Sequence, residues 1–267
     1  MNQNGNKNNR GQKTRGRFRV FNKLDILFYS ASVCICALFV VLMTSAFGKV
    51  DREVLATFGE TLPTIVIDAG HGGEDSGAVG VNGILEKDIN LSVSMQLADM
   101  FRVSGFKVVM VRETDIAVYD EGCTTIREKK VSDLHNRLKL VESQDNCILL
   151  SIHQNKFTDS QYSGAQMFYS LKTPQSKELA QYLKESVVSM IQPENKREVK
   201  PATKDIYLLY NTNKPAVIVE CGFLSNAKEA ALLNDDAYQK KMAFAIYCGF
   251  MNYWKGTGLT SSGDSAG

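Results

Sequence analysis

Read for apolar and polar positions, the stretch from Thr64 to Trp254 alternates between strand-like and helix-like patterns. "TIVID" (64–68) is a short apolar run, read as a strand. Ile89, Val93, Leu97, Met100 and Phe101 recur at helical spacing, and Ser104-Gly105 stops that helix. "FKVVMV" (106–111) is the next strand. Val131, Leu134, Leu138 and Val141 mark a second amphipathic helix. "CILLSI" (147–152) is apolar almost throughout, as expected of a strand buried on both faces. "AQMFYS" (165–170) reads as a weaker strand, and Leu179, Leu183, Val187, Met190 and Ile191 give a third helix. "DIYLLY" (205–210) and "AVIVE" (216–220) read as strands, and Tyr238 to Trp254 as a last helix. Charged Glu113 to Lys130 has no clear period and reads as a long excursion, of the kind that borders a site. This order predicts an α/β fold, with a mostly parallel sheet between helix layers.

The composition, 44% hydrophobic and 22% charged, is that of a globular chain. The net charge of +2 hides an asymmetry. Residues 1–24 carry Lys7, Arg10, Lys13, Arg15, Arg17, Arg19 and Lys23 and no acid, so the basic bias belongs to a tail. It gives no reason to expect a nucleic-acid partner for the folded part. Ile26 to Phe47 runs without a charge, and about 20 apolar residues cross a bilayer core of roughly 30 Å. The expected organisation is a basic cytoplasmic tail (1–24), a transmembrane signal anchor (25–47), a linker (48–62), a single catalytic domain (63–255) and a flexible tail (256–267). The flanking bases place the domain outside the cytoplasmic membrane. Cleavage after Thr44-Ser45-Ala46 is the rival, and it yields a secreted protein. The six cysteines contain no C-x-x-C pair, and buried free thiols are the plain expectation.

Candidate chemistry gathers at strand ends. His71 lies just past strand 64–68 within "AGHGGEDSG", His153 follows strand 147–152, and Glu220 ends "AVIVE". In a parallel sheet ligands bind outside the carboxyl ends of the strands, so these side chains should converge on one edge. Glu86 opens the helix that follows the first strand and starts near that same edge. Glycines around His71 allow a sharp turn with positive φ. Two imidazoles and one carboxylate suit a single zinc ion with a fourth position left for solvent, and a further carboxylate, Glu220, suits proton transfer. Read singly, each has a plainer meaning: a strand-end cap for the histidines, a helix N-terminal acid for Glu86, a salt bridge for Glu220. His135 reads as a solvated helix histidine. Cys221 as nucleophile is disfavoured, because it should alternate to the face opposite Glu220.

Four blocks, "VIDAGHGGEDSGAVG", "EKDINL", "LLSIHQN" and "IVECGFLSN", resemble in order and spacing the zinc-dependent N-acetylmuramoyl-L-alanine amidases of the family-3 type. The resemblance spans Thr64 to Tyr253. It implies a six-stranded sheet flanked by helices, one Zn2+ held by His71, Glu86 and His153, and Glu220 as the catalytic carboxylate. It implies peptidoglycan as substrate, cut at the amide between N-acetylmuramic acid and L-alanine. "YSGAQMFYS" and "DIYLLYNTNKPAVIVECGFLSNAKEAALL" look closest to the spore-cortex branch, in which stem peptides are removed so that muramic lactam forms. Asn155 and Arg137 stand as candidate substrate contacts, each with a structural alternative. Arg112 shares that ambiguity, and an activating protein partner is left open. The rival readings are a metal-free peptidoglycan-binding scaffold and a zinc carboxypeptidase whose substrate carboxylate is met by Arg112 or Arg137.

Overall fold

The computed structural model describes residues 62–260; the tail and apolar segment expected over residues 1–47, nearly all of the linker expected over 48–62, and residues 261–267 lie outside the described residues, while residues 256–260, expected as the start of a flexible tail, continue the last helix. Six strands form one sheet in the order β2-β1-β3-β6-β4-β5. They are β1 (Thr64–Ala69), β2 (Val108–Met110), β3 (Cys147–Asn155), β4 (Gln166–Tyr169), β5 (Lys200–Pro201) and β6 (Ala216–Phe223). β2, β1, β3 and β6 run parallel, while β4 pairs antiparallel with β6 and carries β5 at the edge. The helices are α1 (Glu86–Val103), α2 (Ile126–Glu142), α3 (Pro174–Met190), α4 (Tyr207–Asn211), α5 (Ala227–Leu233) and α6 (Asp236–Thr260).

Side-chain alternation along the strands splits the core in two. Ile65 and Ile67 of β1, Ile148, Leu150 and Ile152 of β3, and Val217, Val219 and Cys221 of β6 face one way. They pack against Leu97 and Phe101 of α1, Leu179 and Leu183 of α3, and Ile246 and Phe250 of α6. The opposite face, built on Val66, Leu149, Ala216 and Ile218, is covered by α2 through Val141 and by the short α4 through Leu208 and Leu209. That second layer is thinner, and the site opens on its side at the carboxyl ends of the strands.

Strand–helix alternation and six strands match the expectation, with one exchange. Residues 205–210, read as a strand, begin helix α4 instead, and the sixth strand is the two-residue β5. "DIYLLY" is a short apolar run whose period does not separate strand from helix. As a helix it buries the adjacent Leu208 and Leu209 and leaves Tyr210 exposed. Lys200 and Pro201, both exposed, end the sheet with a proline and a charge, which blunts further pairing. The excursion after β2 is irregular only to Thr125. There Thr125 and Glu128 form a reciprocal capping box that starts α2.

Candidate metal centre and active site

β3 and β6 are in register at His153 and Glu220. Neighbouring parallel strands in register present such residues on one face, so both side chains rise from the thinner layer. Asp68 of β1 and Ser151 of β3 pair one step deeper on the same face. Cys221 points the other way, fully buried in the opposite core, and burial pushes its thiol up to about 12. The structure therefore keeps it away from the site. Cys123, Cys147 and Cys248 are also free thiols.

His71 and Glu86 reach the same place by different routes. His71 itself holds a positive φ of 61°, an unusual conformation for a side chain with a Cβ, and Gly72 and Gly73 continue the left-handed turn. Glu86 is the first residue of α1, yet it is 3% exposed. Its Oε1 lies 3.2 Å from His71 Nε2 and 2.9 Å from His153 Nδ1, and it accepts from Gln154 N at 3.1 Å. Its Oε2 accepts from Ala78 N at 2.7 Å. One turn on, Asn90 donates to Glu86 Oε1 and to the Gly70 carbonyl. The site needs its glycines for space as well as for turning. A Cβ at Gly70 would stand 2.2 Å from the His153 ring, and one at Gly77 would stand 2.6 Å from Glu86 Oε2.

One ligand atom each from His71, Glu86 and His153 lies within 4.8 Å of the others. Two ligands of a tetrahedral ion at ~2.0–2.1 Å stand about 3.4 Å apart, so the donor set fits one small divalent cation with little rearrangement. The local field points the same way. Burial lowers the His71 imidazole, but its hydrogen bonds to the Asp75 and Glu86 carboxylates outweigh it and favour positive charge, to about 9. Burial alone raises the Glu86 carboxyl; His153 and His71 reverse this and hold it far below the ordinary range. Asp75 Oδ2 bonds His71 Nδ1 at 2.8 Å, the outer-carboxylate contact that orients a ligating imidazole.

Glu220 stands apart from this cluster. Its Oε2 is buried with no hydrogen-bond partner. Burial raises its carboxyl, His153 opposes and Glu86 adds, giving about 7. A buried polar atom without a partner is costly in a native protein and commonly marks a functional position. His71, His153, Glu220, Asp68 and Ser151 line a cavity of about 220 Å³, with Lys130 and Leu134 of α2 and Tyr207 and Leu208 of α4 also in its wall. A larger depression of about 720 Å³, between residues 161–164, 191–197 and α5, lies on another part of the surface. Its buried acid, Glu229, already accepts from Gly164 N and Phe223 N.

The arginines resolve differently from the expectation of substrate contact. Arg137 is 3% exposed and spends all its donors inside the fold, on Asp68, Asp133 and the carbonyls of Ala69 and His71. Arg112 is equally buried and donates to the carbonyls of Ala69, Gly70, Lys87 and Thr114. Together they clasp the backbone that carries His71. The physical reason is placement: α2 and the end of β2 set both guanidinium groups beneath the turn, where a carbonyl-rich backbone needs donors. A carboxypeptidase carboxylate finds neither of them free. Asn155 ends β3, half-buried, where the register shifts, and its carbonyl accepts from Leu224 N. His135 is exposed and lies against Tyr207. Asp75, Asn90 and the carbonyl clasp were not read from the sequence, because only the folded turn brings them to their partners.

The profile of the Amidase_3 family, described as N-acetylmuramoyl-L-alanine amidase, matches residues 65–252. A germination-specific N-acetylmuramoyl-L-alanine amidase of Bacillus subtilis (strain 168) is 37% identical over 190 residues, spanning 71% of this chain and 79% of that protein. The CwlD amidase of Clostridioides difficile, solved in complex with the GerS lipoprotein, is 43% identical, with a TM-score of 0.70 over 72% of this chain and 98% of that one. An N-acetylmuramoyl-L-alanine amidase of Nostoc punctiforme is 27% identical, with a TM-score of 0.62 over 74% of this chain and 99% of that one.

Proposed function

This chain belongs to the Amidase_3 family of N-acetylmuramoyl-L-alanine amidases, and from that premise we propose that His71, Glu86 and His153 hold one zinc ion for cleavage of the muramoyl–alanine amide in peptidoglycan. The observation that carries the reading is the convergence of these three donors within 4.8 Å of one another, beside a carboxylate with a buried, unpartnered oxygen. A zinc ion held there supplies Lewis-acid polarisation of the scissile carbonyl and acidifies a water.

The chain's own groups do the rest. Glu220 takes the proton of the attacking water and returns it to the amine of L-alanine as the amide breaks. Burial raises this carboxyl above its ordinary range, and a bound cation would draw it back down, which keeps it able both to take and to return a proton. Asp75 holds the His71 ring through Nδ1, leaving Nε2 for the ion. Asn155, half-buried at the end of β3, stays the candidate for a further substrate contact. Arg137 acts through the His71 backbone and not on the substrate.

The B. subtilis germination-specific relative and the C. difficile amidase support a role in spore-cortex maturation, in which stem peptides are stripped from muramic acid. The latter's complex with a lipoprotein supports a protein partner for this chain as well. A cell-wall substrate places the domain outside the cytoplasmic membrane; we propose that the apolar 25–47 segment anchors it there. The test is digestion of purified peptidoglycan by the full chain, with zinc and the candidate partner added, read by mass spectrometry. The reading expects release of intact stem peptides beginning with L-alanine. Glu220→Gln should keep its zinc and lose turnover by about 10²–10⁴-fold. Release of single C-terminal residues, or full turnover by Glu220→Gln, contradicts it.

A further inference from the structure

The site cavity does not end at the metal centre. A second cavity of about 240 Å³ adjoins it, and the two share Asp75, Lys130 and Asp133 in their walls. Ala117, Tyr119 and Ile126 give the second cavity an apolar side, with the Ile126 side chain largely exposed. Its outer wall is the irregular segment after β2, which is firmly tied down. Asp115 accepts from Gly73 N and Lys87 Nζ, Asp133 accepts from Val118 N, and Asp120 accepts from Ser132 and Asn136. The two cavities therefore form one fixed groove with its junction on α2.

The charges along this groove are almost all spoken for. Lys129 is paired with Glu74 at 2.7 Å. Arg137 is paired with Asp68 and Asp133. Asp75 bonds His71 and Gly77 N. Among the described residues lining the two cavities, Lys130 is the cation with no carboxylate at ion-pair distance; it attracts Asp75 only through space, and it sits at their junction, exposed. A lysine is a flexible point charge that captures a carboxylate without needing a planar fork.

Resting on the amidase reading, we propose that Lys130 reads a free carboxylate on the second residue of the stem peptide and that the second cavity receives the residue after it. The chemistry of the substrate favours this over a glycan contact. The sugar side of the scissile amide is uncharged, whereas a stem whose second residue is glutamate joined through its γ-carboxyl keeps a free α-carboxylate. An extended chain advances ~3.3–3.6 Å per residue, so that carboxylate lies about two steps, ~7 Å, from the scissile bond. The third side chain then meets Tyr119 and Ile126.

The experiment compares two muramoyl peptides that differ only in that group: free α-carboxylate or primary amide on the second residue. Each is assayed with the zinc-loaded full chain and with Lys130→Gln and Lys130→Arg, after equal zinc content is verified. Lys130→Gln should lower kcat/KM on the carboxylate substrate by about fivefold, the upper scale of an exposed ion pair, chiefly through KM, with the amide substrate unaffected. Lys130→Arg should restore most of the loss. Equal effects on both substrates, or no effect on either, overturn the assignment and leave Lys130 a solvated lysine. Absence of turnover by the unsubstituted chain on both substrates, with the candidate partner also added, instead removes the amidase reading on which the assignment stands. For the second cavity, Tyr119→Ala should abolish any preference for a tripeptide over a dipeptide stem; a preserved preference overturns that half.

Discussion

Gly77→Ala is a sharp probe of how the loop builds the metal centre. Gly77 has φ +65°, and an added Cβ would meet Glu86 Oε2 at 2.6 Å, His71 Cδ2 at 2.7 Å and Glu86 Cβ at 2.9 Å. The backbone term alone is about 1–2 kcal/mol, the cost of left-handed conformation for an L-residue. The steric term decides the outcome. Ordinary contact begins near 3.4 Å, so the Glu86 carboxylate must move by about 0.8 Å and the His71 ring by about 0.7 Å. Metal–ligand distances tolerate roughly ±0.2 Å, so the displaced donor leaves the coordination set. Retreat is blocked on the Glu86 side, because its Cβ is fixed by the first turn of α1. Losing an outer contact alone weakens metal binding about 10–100-fold, and losing a ligand should exceed the upper figure. The assay is competition for zinc against a chromophoric chelator, alongside thermal unfolding. Gly83→Ala is the control: it has φ +77° but nothing within 4 Å of its Cβ, so it should show the unfolding shift and normal zinc binding. Normal zinc affinity in Gly77→Ala, or an equal loss in Gly83→Ala, would refute the reasoning.

Two further outcomes follow from neighbouring contacts. Asp75→Asn replaces the carboxylate that holds His71 Nδ1 and should weaken zinc binding about 10–100-fold with the fold retained, by the same chelator competition. Arg137→Met strands the buried Asp68 carboxylate and should destabilise the chain by about 3–5 kcal/mol at pH 7 in denaturant unfolding. Burial raises the Asp68 carboxyl, but Arg137, with His153 and Ser151, outweighs it and holds it below the usual value. A depressed carboxylate stabilises fully above its unfolded pKa, near ~3.9, and loses that contribution as pH falls through the folded value. In Arg137→Met the largest opposing contribution is gone, so Asp68 takes up a proton at higher pH and the gap between variant and parent should narrow by pH 4. A gap that widens on acidification contradicts this.

Much of this was legible in the chain itself because strands buried on both faces write continuous apolar runs. β1, β3 and β6 were placed from such runs, and with them the strand ends where His71, His153 and Glu220 stand. The alternation rule also put Cys221 on the wrong face for catalysis, where the structure has it. What the sequence left open depends on tertiary partners. "DIYLLY" became α4 because two adjacent leucines had a core face to fill, a demand invisible in a six-residue window. Arg112 and Arg137 carried a choice between structure and substrate that only burial decides. The positive φ of His71 was hidden as well, since the glycines beside it announced a turn without saying that the histidine would share its strain.

The central claim is that one zinc ion is held jointly by His71, Glu86 and His153. Crystals of the zinc-loaded chain, measured at the zinc absorption edge, test it directly. The account predicts one anomalous peak within ~2.0–2.2 Å of a nitrogen of each histidine and an oxygen of Glu86, with the Glu220 carboxylate beside it and not among the ligands. A peak at other residues, or a well-ordered zinc bound by fewer than these three side chains, would contradict it.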